Sequence, residues 1–133
     1  MMKVGMEFFI DYAHHLEGHE LCGRPHGHTA KIIVEVVADK EANYRFRHSK
    51  QEIKSYEDAM LIDFRDMKRE VNDVLNKLDH KDLNTMFNFP SSEVVANWLW
   101  EELEYILDSY KDCSMYSLRF YEGNGKYVEI VNT

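Results

Sequence analysis

Between His14 and His28 the chain reads HHLEGHELCGRPHGH, fifteen residues that hold five of the seven histidines and one of the two cysteines. Imidazole and thiolate are the side chains that bind borderline-soft cations and move protons near neutral pH. Their placement can be read from parity. The even residues Val4, Met6, Phe8, Ile10, Tyr12 and His14 alternate with a more polar odd set, which is the period of a half-buried strand. After the cluster, His28, Ala30, Ile32, Val34, Val36 and Ala38 share a face, and His26 joins them if the strand reaches back through Gly27. A hairpin of these two strands brings His14, His26 and His28 together at one end of the sheet, on its inner side. Three imidazoles with a fourth position open suit a catalytic Zn²⁺ site. His15 has the opposite parity and His19 lies mid-loop, so neither is expected to ligate. A solvated, histidine-rich loop is the plainer alternative; matched parity at three positions weighs against it.

The remaining elements must position that cluster. Asp39–Tyr56 is polar without a clean period and reads as a long loop or extended hairpin tip, with room for a short helix near its end and with Arg45, Arg47, His48 and Lys50 as its one basic patch. A solvated loop is the default there, a phosphate-facing role the alternative. Met60–Ile62 reads as a short apolar strand. Asp63 can cap an amphipathic helix over 63–78, with Phe64, Met67, Val71, Val74, Leu75 and Leu78 at helical spacing. Just past it, Asp79-His80 sets a carboxylate beside an imidazole, which is an acid/base pair if the two face each other. Ser91 or Ser92 caps a second helix running to about Tyr110, with Glu93 near its positive end and Val95, Leu99, Leu103 and Ile106 as its apolar stripe.

A closing hairpin has Tyr116, Leu118, Phe120 and Glu122 on one face, a Gly123-Asn124-Gly125 turn, and a return strand Tyr127–Val131. Glu122 ends an apolar face with a carboxylate, so it must reach solvent or a partner such as a ligand's donors. Strand, strand, helix, helix, strand, strand implies an α+β fold: a four-stranded antiparallel sheet with two helices on one face. Its two open edges can be covered by extending the sheet between subunits.

Length and composition bound the rest. A chain of 133 residues, 44% hydrophobic and 30% charged, is expected to form one domain over 1–133, with 39–59 as a polar insertion. No apolar run reaches the ~20 residues of a membrane span, and the start lacks a signal-peptide layout, so a cytoplasmic location is expected. Two distant cysteines make no disulfide framework. A net charge of −8 argues against a nucleic-acid surface but leaves room for a small anionic substrate in a locally basic cleft.

Taken together, Tyr12-Ala13-His14-His15-Leu16, Cys22-Gly23-Arg24-Pro25-His26-Gly27-His28, Ile62-Asp63-Phe64, Leu78-Asp79-His80-Lys81-Asp82-Leu83-Asn84, Pro90-Ser91-Ser92-Glu93 and Tyr121-Glu122 resemble, in order, the 6-pyruvoyl-tetrahydropterin synthase family. They are most similar to its 6-carboxy-tetrahydropterin synthases of the queuosine pathway. The resemblance implies a tunnelling fold whose sheets join into a barrel by oligomerisation, commonly a homohexamer arranged as a dimer of trimers. It implies Zn²⁺ on His14, His26 and His28, a catalytic thiol at Cys22, and a proton-transfer pair at Asp79 and His80. Glu122 would anchor the pterin ring, with Ser91, Ser92 and Glu93 at a helix start that contacts it. The implied reaction is that of a lyase acting on 7,8-dihydroneopterin triphosphate to give 6-carboxy-5,6,7,8-tetrahydropterin, acetaldehyde and triphosphate. The short Cys22-x-x-x-His26 gap favours this over 6-pyruvoyl-tetrahydropterin formation. A non-catalytic zinc-containing pterin-binding module is a further alternative, against which Cys22 speaks. The chain departs from the family pattern in its long 39–59 segment, in Ala59 for a common Gly, in His15 for a common Arg, and in Gly123 for the usual Thr.

Overall fold

The computed structural model describes residues Met1–Asn132. Two long strands come first, β1 (Lys3–His14) and β2 (His26–Ala38), paired antiparallel with His14 opposite His26 and Tyr12 opposite His28. The alternation read from the sequence holds along both. Phe8, Ile10, Tyr12 and His14 of β1 are buried, as are Ala30, Ile32, Val34, Val36 and Ala38 of β2. The intervening residues face away.

The segment after β2 corrects the expectation of a loop with a short helix only near its end: it is helical from its start. It forms α1 (Lys40–Arg47) and a single further turn, α2 (Ser49–Glu52). Asp39 starts α1 by accepting a hydrogen bond from Ala42 N at 2.8 Å. Ala42 is buried and Phe46 packs on the core, while Arg45 lies inside an ion pair with Asp112 (3.0 Å) and also donates to the Asp58 carbonyl at 2.9 Å. Arg45 therefore fastens the segment down and is not free for a basic, phosphate-facing patch. Met60–Ile62 is not a strand; Leu61 and Ile62 are buried within a bend.

Asp63 caps α3 (Phe64–Leu75) through Arg65 N at 2.8 Å. The helix is shorter than 63–78 at its end, where the chain turns through 76–80, and Phe64 is exposed rather than part of the stripe. Next, β3 (Lys81–Asp82) pairs in parallel with Tyr12–Ala13 of β1, followed by a 3₁₀ turn at Leu83–Thr85. Ser91 is the cap of α4 (Ser92–Leu107), accepting from Val94 N at 3.2 Å, and the helix stops short of Tyr110.

The closing hairpin is β4 (Cys113–Glu122) and β5 (Tyr127–Val131). The sheet thus has five strands rather than four, in the order β3-β1-β2-β4-β5, and one of its pairings is parallel. A bulge opposite Glu35–Val36 shifts the register of β4. One extra residue reverses side-chain parity, so Met115 rather than Tyr116 is buried, and the Tyr116 ring lies under Lys3 Nζ, 4.9 Å from its centroid. Beyond the bulge, Leu118, Phe120 and Glu122 keep the inner face. Helices α3 and α4 cover that face and complete an apolar core that runs up to the histidines at its end. Each large side chain fully buried there contributes roughly 1.5–3 kcal/mol relative to exposure.

Candidate metal centre and active site

The end of β1 and the start of β2 bring His14, His26 and His28 ring to ring, with centroids 4.6 to 5.0 Å apart. Two of the rings are oriented by carbonyls. His14 Nδ1 lies 2.7 Å from the Pro90 carbonyl and His26 Nδ1 lies 2.7 Å from the Arg24 carbonyl. A carbonyl only accepts, so each Nδ1 carries the proton and each Nε2 presents a lone pair. His14 is 2% exposed, yet its Nε2 and that of His28 have no hydrogen-bond partner. Burial lowers the His28 pKa below the ordinary histidine value, outweighing the upward pull of Glu122.

Glu122 sits opposite Ala30 in the β2–β4 register, which sets its carboxylate beside these rings. Its Oε1 lies 3.2 Å from His28 Nε2 without hydrogen-bond geometry, and its Oε2 accepts from the Ser92 hydroxyl at the start of α4. Burial pushes this carboxyl up, but the Ser92 hydroxyl and the His28 and His14 rings hold it, on balance, below the usual carboxylate range. One donor atom from each of His14, His26, His28 and Glu122 lies within 4.8 Å of all the others. A buried imidazole nitrogen with a free lone pair is costly unless a hydrogen-bond donor or a cation takes it, and carbonyl-held histidines are how ligand tautomers are fixed. The donor set fits Zn²⁺.

Cys22 stands apart from this donor set, in a turn folded on itself. Leu16 N donates to the Cys22 carbonyl at 2.6 Å and Cys22 N donates to His19 Nδ1 at 3.0 Å. A Cβ at Gly23 would come 2.6 Å from the His19 carbonyl, so only glycine lets the chain close here. His19 therefore holds the cysteine turn, a role nothing in its spacing indicates. His15 is pinned too: Asn84 accepts from His15 N at 2.9 Å and donates to its carbonyl at 3.0 Å.

Asp79 and His80 face each other, with Asp79 Oδ2 3.1 Å from His80 Nδ1, but they join Asp11 at the edge of β1 rather than the three imidazoles. Asp11 N donates to Asp79 Oδ1 at 2.9 Å and His80 N donates to the Asp11 carbonyl at 2.6 Å. The backbone hydrogen bond from Asp11 holds the Asp79 carboxyl below its usual range. His80 is exposed and has φ 58°, a left-handed conformation. Ser91 serves the helix cap, Ser92 reaches Glu122, and Glu93 is exposed in the first turn of α4. Parity placed Tyr12 on the inner face but gave it no site role. Its ring packs on His14, His28 and Phe120, its hydroxyl is buried without a partner, and burial with the nearby Glu122 raises its pKa.

A family model described as 6-pyruvoyl tetrahydropterin synthase matches residues 3–133. The chain belongs to the 6-pyruvoyl tetrahydropterin synthase family. Within that family it is 32% identical over 129 residues to a putative 6-carboxy-5,6,7,8-tetrahydropterin synthase of Archaeoglobus fulgidus, covering 97% of this chain and 95% of that protein. It is 36% identical over 98 residues to a 6-carboxy-5,6,7,8-tetrahydropterin synthase of Haemophilus influenzae, covering 72% of this chain and 62% of that one. The fold matches that of a 6-pyruvoyl tetrahydropterin synthase from Caenorhabditis elegans with a TM-score of 0.70 at 20% identity, over 100% of this chain and 98% of that one. Among the described residues no helix is long and apolar enough to cross a membrane.

Proposed function

We propose that this member of the family is a zinc-dependent lyase that converts 7,8-dihydroneopterin triphosphate and one water to 6-carboxy-5,6,7,8-tetrahydropterin, releasing acetaldehyde and triphosphate. The observation that carries this reading is the convergence of three imidazoles beside the Glu122 carboxylate, with His14 and His26 oriented by carbonyls and the Nε2 atoms of His14 and His28 unpartnered. The two 6-carboxy relatives support the choice of product.

His14, His26 and His28 would hold the cation, which supplies Lewis-acid polarisation of a substrate oxygen. Glu122, oriented by Ser92, accepts from the ring N–H and exocyclic amine of the pterin and so fixes the ring relative to the imidazoles. Cys22 is left free of the donor set to act as the thiolate that takes a carbon-bound proton. His80, with Nδ1 on Asp79, keeps Nε2 for proton transfer as the leaving group departs. The Asp79–His80 pair faces outward at a sheet edge, so it would serve a site shared with a neighbouring subunit. That arrangement requires the homo-oligomer, with the open β5 and β1/β3 edges as the surfaces that join.

The test is incubation of the metal-loaded protein with 7,8-dihydroneopterin triphosphate and mass spectrometry of the products. Acetaldehyde with 6-carboxy-tetrahydropterin is the expected result. Triphosphate with 6-pyruvoyl-tetrahydropterin would assign the other branch, and no turnover with bound metal would leave a pterin-binding module.

A further inference from the structure

The position of Glu122 is closer to the imidazoles than a ring anchor requires. Four ligands at 2.0–2.1 Å around a tetrahedral zinc are separated from one another by about 3.3 Å. Glu122 Oε1 and His28 Nε2 stand 3.2 Å apart, and they do so without forming a hydrogen bond. The pair has the spacing of two ligands of one ion. The other carboxylate oxygen accepts from Ser92, a residue 9% exposed at the start of α4. An outer hydrogen bond of this kind is what aims a ligating carboxylate.

We propose that Glu122 is a fourth protein ligand of the metal in the resting molecule and leaves it for the N–H donors of the bound ring, so that ring recognition opens the metal centre. This rests on the pterin reading of the site. Three imidazoles and a carboxylate close the coordination sphere, as in structural zinc sites, and keep solvent from the fourth position. A pterin offers two parallel donors that engage both carboxylate oxygens, and Oε1 cannot serve the ring and the ion together. The open position is then created where and when the ring is seated. Linkage adds a consequence: a ring without side-chain hydroxyls, unable to reach the ion itself, must bind less tightly when metal is present, and must weaken metal binding by the same factor.

The experiment uses the full-length protein loaded with Co²⁺. Visible absorption reports the coordination sphere, and a competing chelator reports affinity. The wild-type protein is expected to show the intense band of a four-coordinate site. Glu122→Gln is expected to bind Co²⁺ about 10- to 100-fold more weakly with a weaker, shifted band, and Ser92→Ala to show a smaller loss in the same direction. Thermal melts of the metal-free variants establish that each is folded. Titration with unsubstituted pterin, followed by its fluorescence, is expected to shift the wild-type band toward that of Glu122→Gln and to leave the variant's band in place. Wild-type affinity and spectrum in Glu122→Gln would overturn the ligand assignment. Pterin that binds without altering the wild-type band would overturn the gate. Absence of pterin binding, with Co²⁺ still weakened in Glu122→Gln, would overturn the gate and the pterin reading while the fourth ligand stands.

Discussion

Two clusters of metal-competent side chains flank β1, and they solve opposite problems. On the inner face, within the group His14, His26, His28 and Glu122, the Nε2 atoms of His14 and His28 are buried and unpartnered. At the strand edge, Asp11, Asp79 and His80 satisfy one another: Asp79 takes Asp11 N and faces His80 Nδ1, and the Thr29 hydroxyl donates to Asp11 Oδ1 at 2.5 Å. The first group has the free donor atoms that a cation would fill. The second is satisfied by its own members and solvated, which suits the proton-handling role proposed for it. Residue types alone do not separate the two; the dielectric and the hydrogen-bond inventory do.

The contrast is broken most directly at the inner group. His26→Ala removes one of the three imidazoles proposed to hold the metal and is expected to lower zinc affinity by at least about 100-fold, measured by chelator competition with elemental analysis. The same measurement on His80→Ala should give wild-type affinity; a comparable loss there would erase the distinction. The cysteines sharpen it next. Burial pushes the Cys113 thiol up to about 11, so the fold disfavours its thiolate. Iodoacetamide at about pH 8 should label Cys22 and spare Cys113, and Cys22→Ala should lose turnover while retaining zinc. Equal labelling, or wild-type turnover of that variant, would reassign the base. The smallest effect concerns acid stability. Asp79 is depressed in the fold relative to the ~3.9 of an unfolded Asp, so its contribution is present above that value and is lost as pH falls through the folded one. Asp79→Asn should flatten the acid limb of the melting-temperature profile below about pH 4 and leave the neutral plateau parallel to wild type.

The inner group was legible because strand parity is rigid where pairing is regular. Twelve consecutive partners of β1 and β2 run without a register shift, so alternation alone selects three of five histidines. The same logic failed at Tyr116 because β4 carries a bulge, which sequence alternation does not announce. Helix α1 was hidden because its inward side mixes Ala42 and Phe46 with an ion-paired Arg45, and the charge reads as solvent-facing. β3 was hidden by its size: its two residues pair with Tyr12 and Ala13, and the chain is brought there by the contacts of the preceding Asp79 and His80 with Asp11, not by a pattern of its own. The service of His19 to the cysteine turn depends on loop shape, which spacing does not encode. Adjacency alone offered Asp79–His80 as an acid/base pair; the roles proposed for Cys22 and for Glu122 as ring anchor came from likeness to a family.

His80 carries a cost the rest of the turn does not. At φ 58° an L-residue with a Cβ is less stable by roughly 1–2 kcal/mol than in the right-handed region, and glycine would sit there freely. The fold's preferred residue at this position is therefore not an imidazole. A selection for thermal stability alone would drift toward glycine at position 80 and discard the imidazole, so the fold and the proposed proton transfer pull against each other at a single backbone angle.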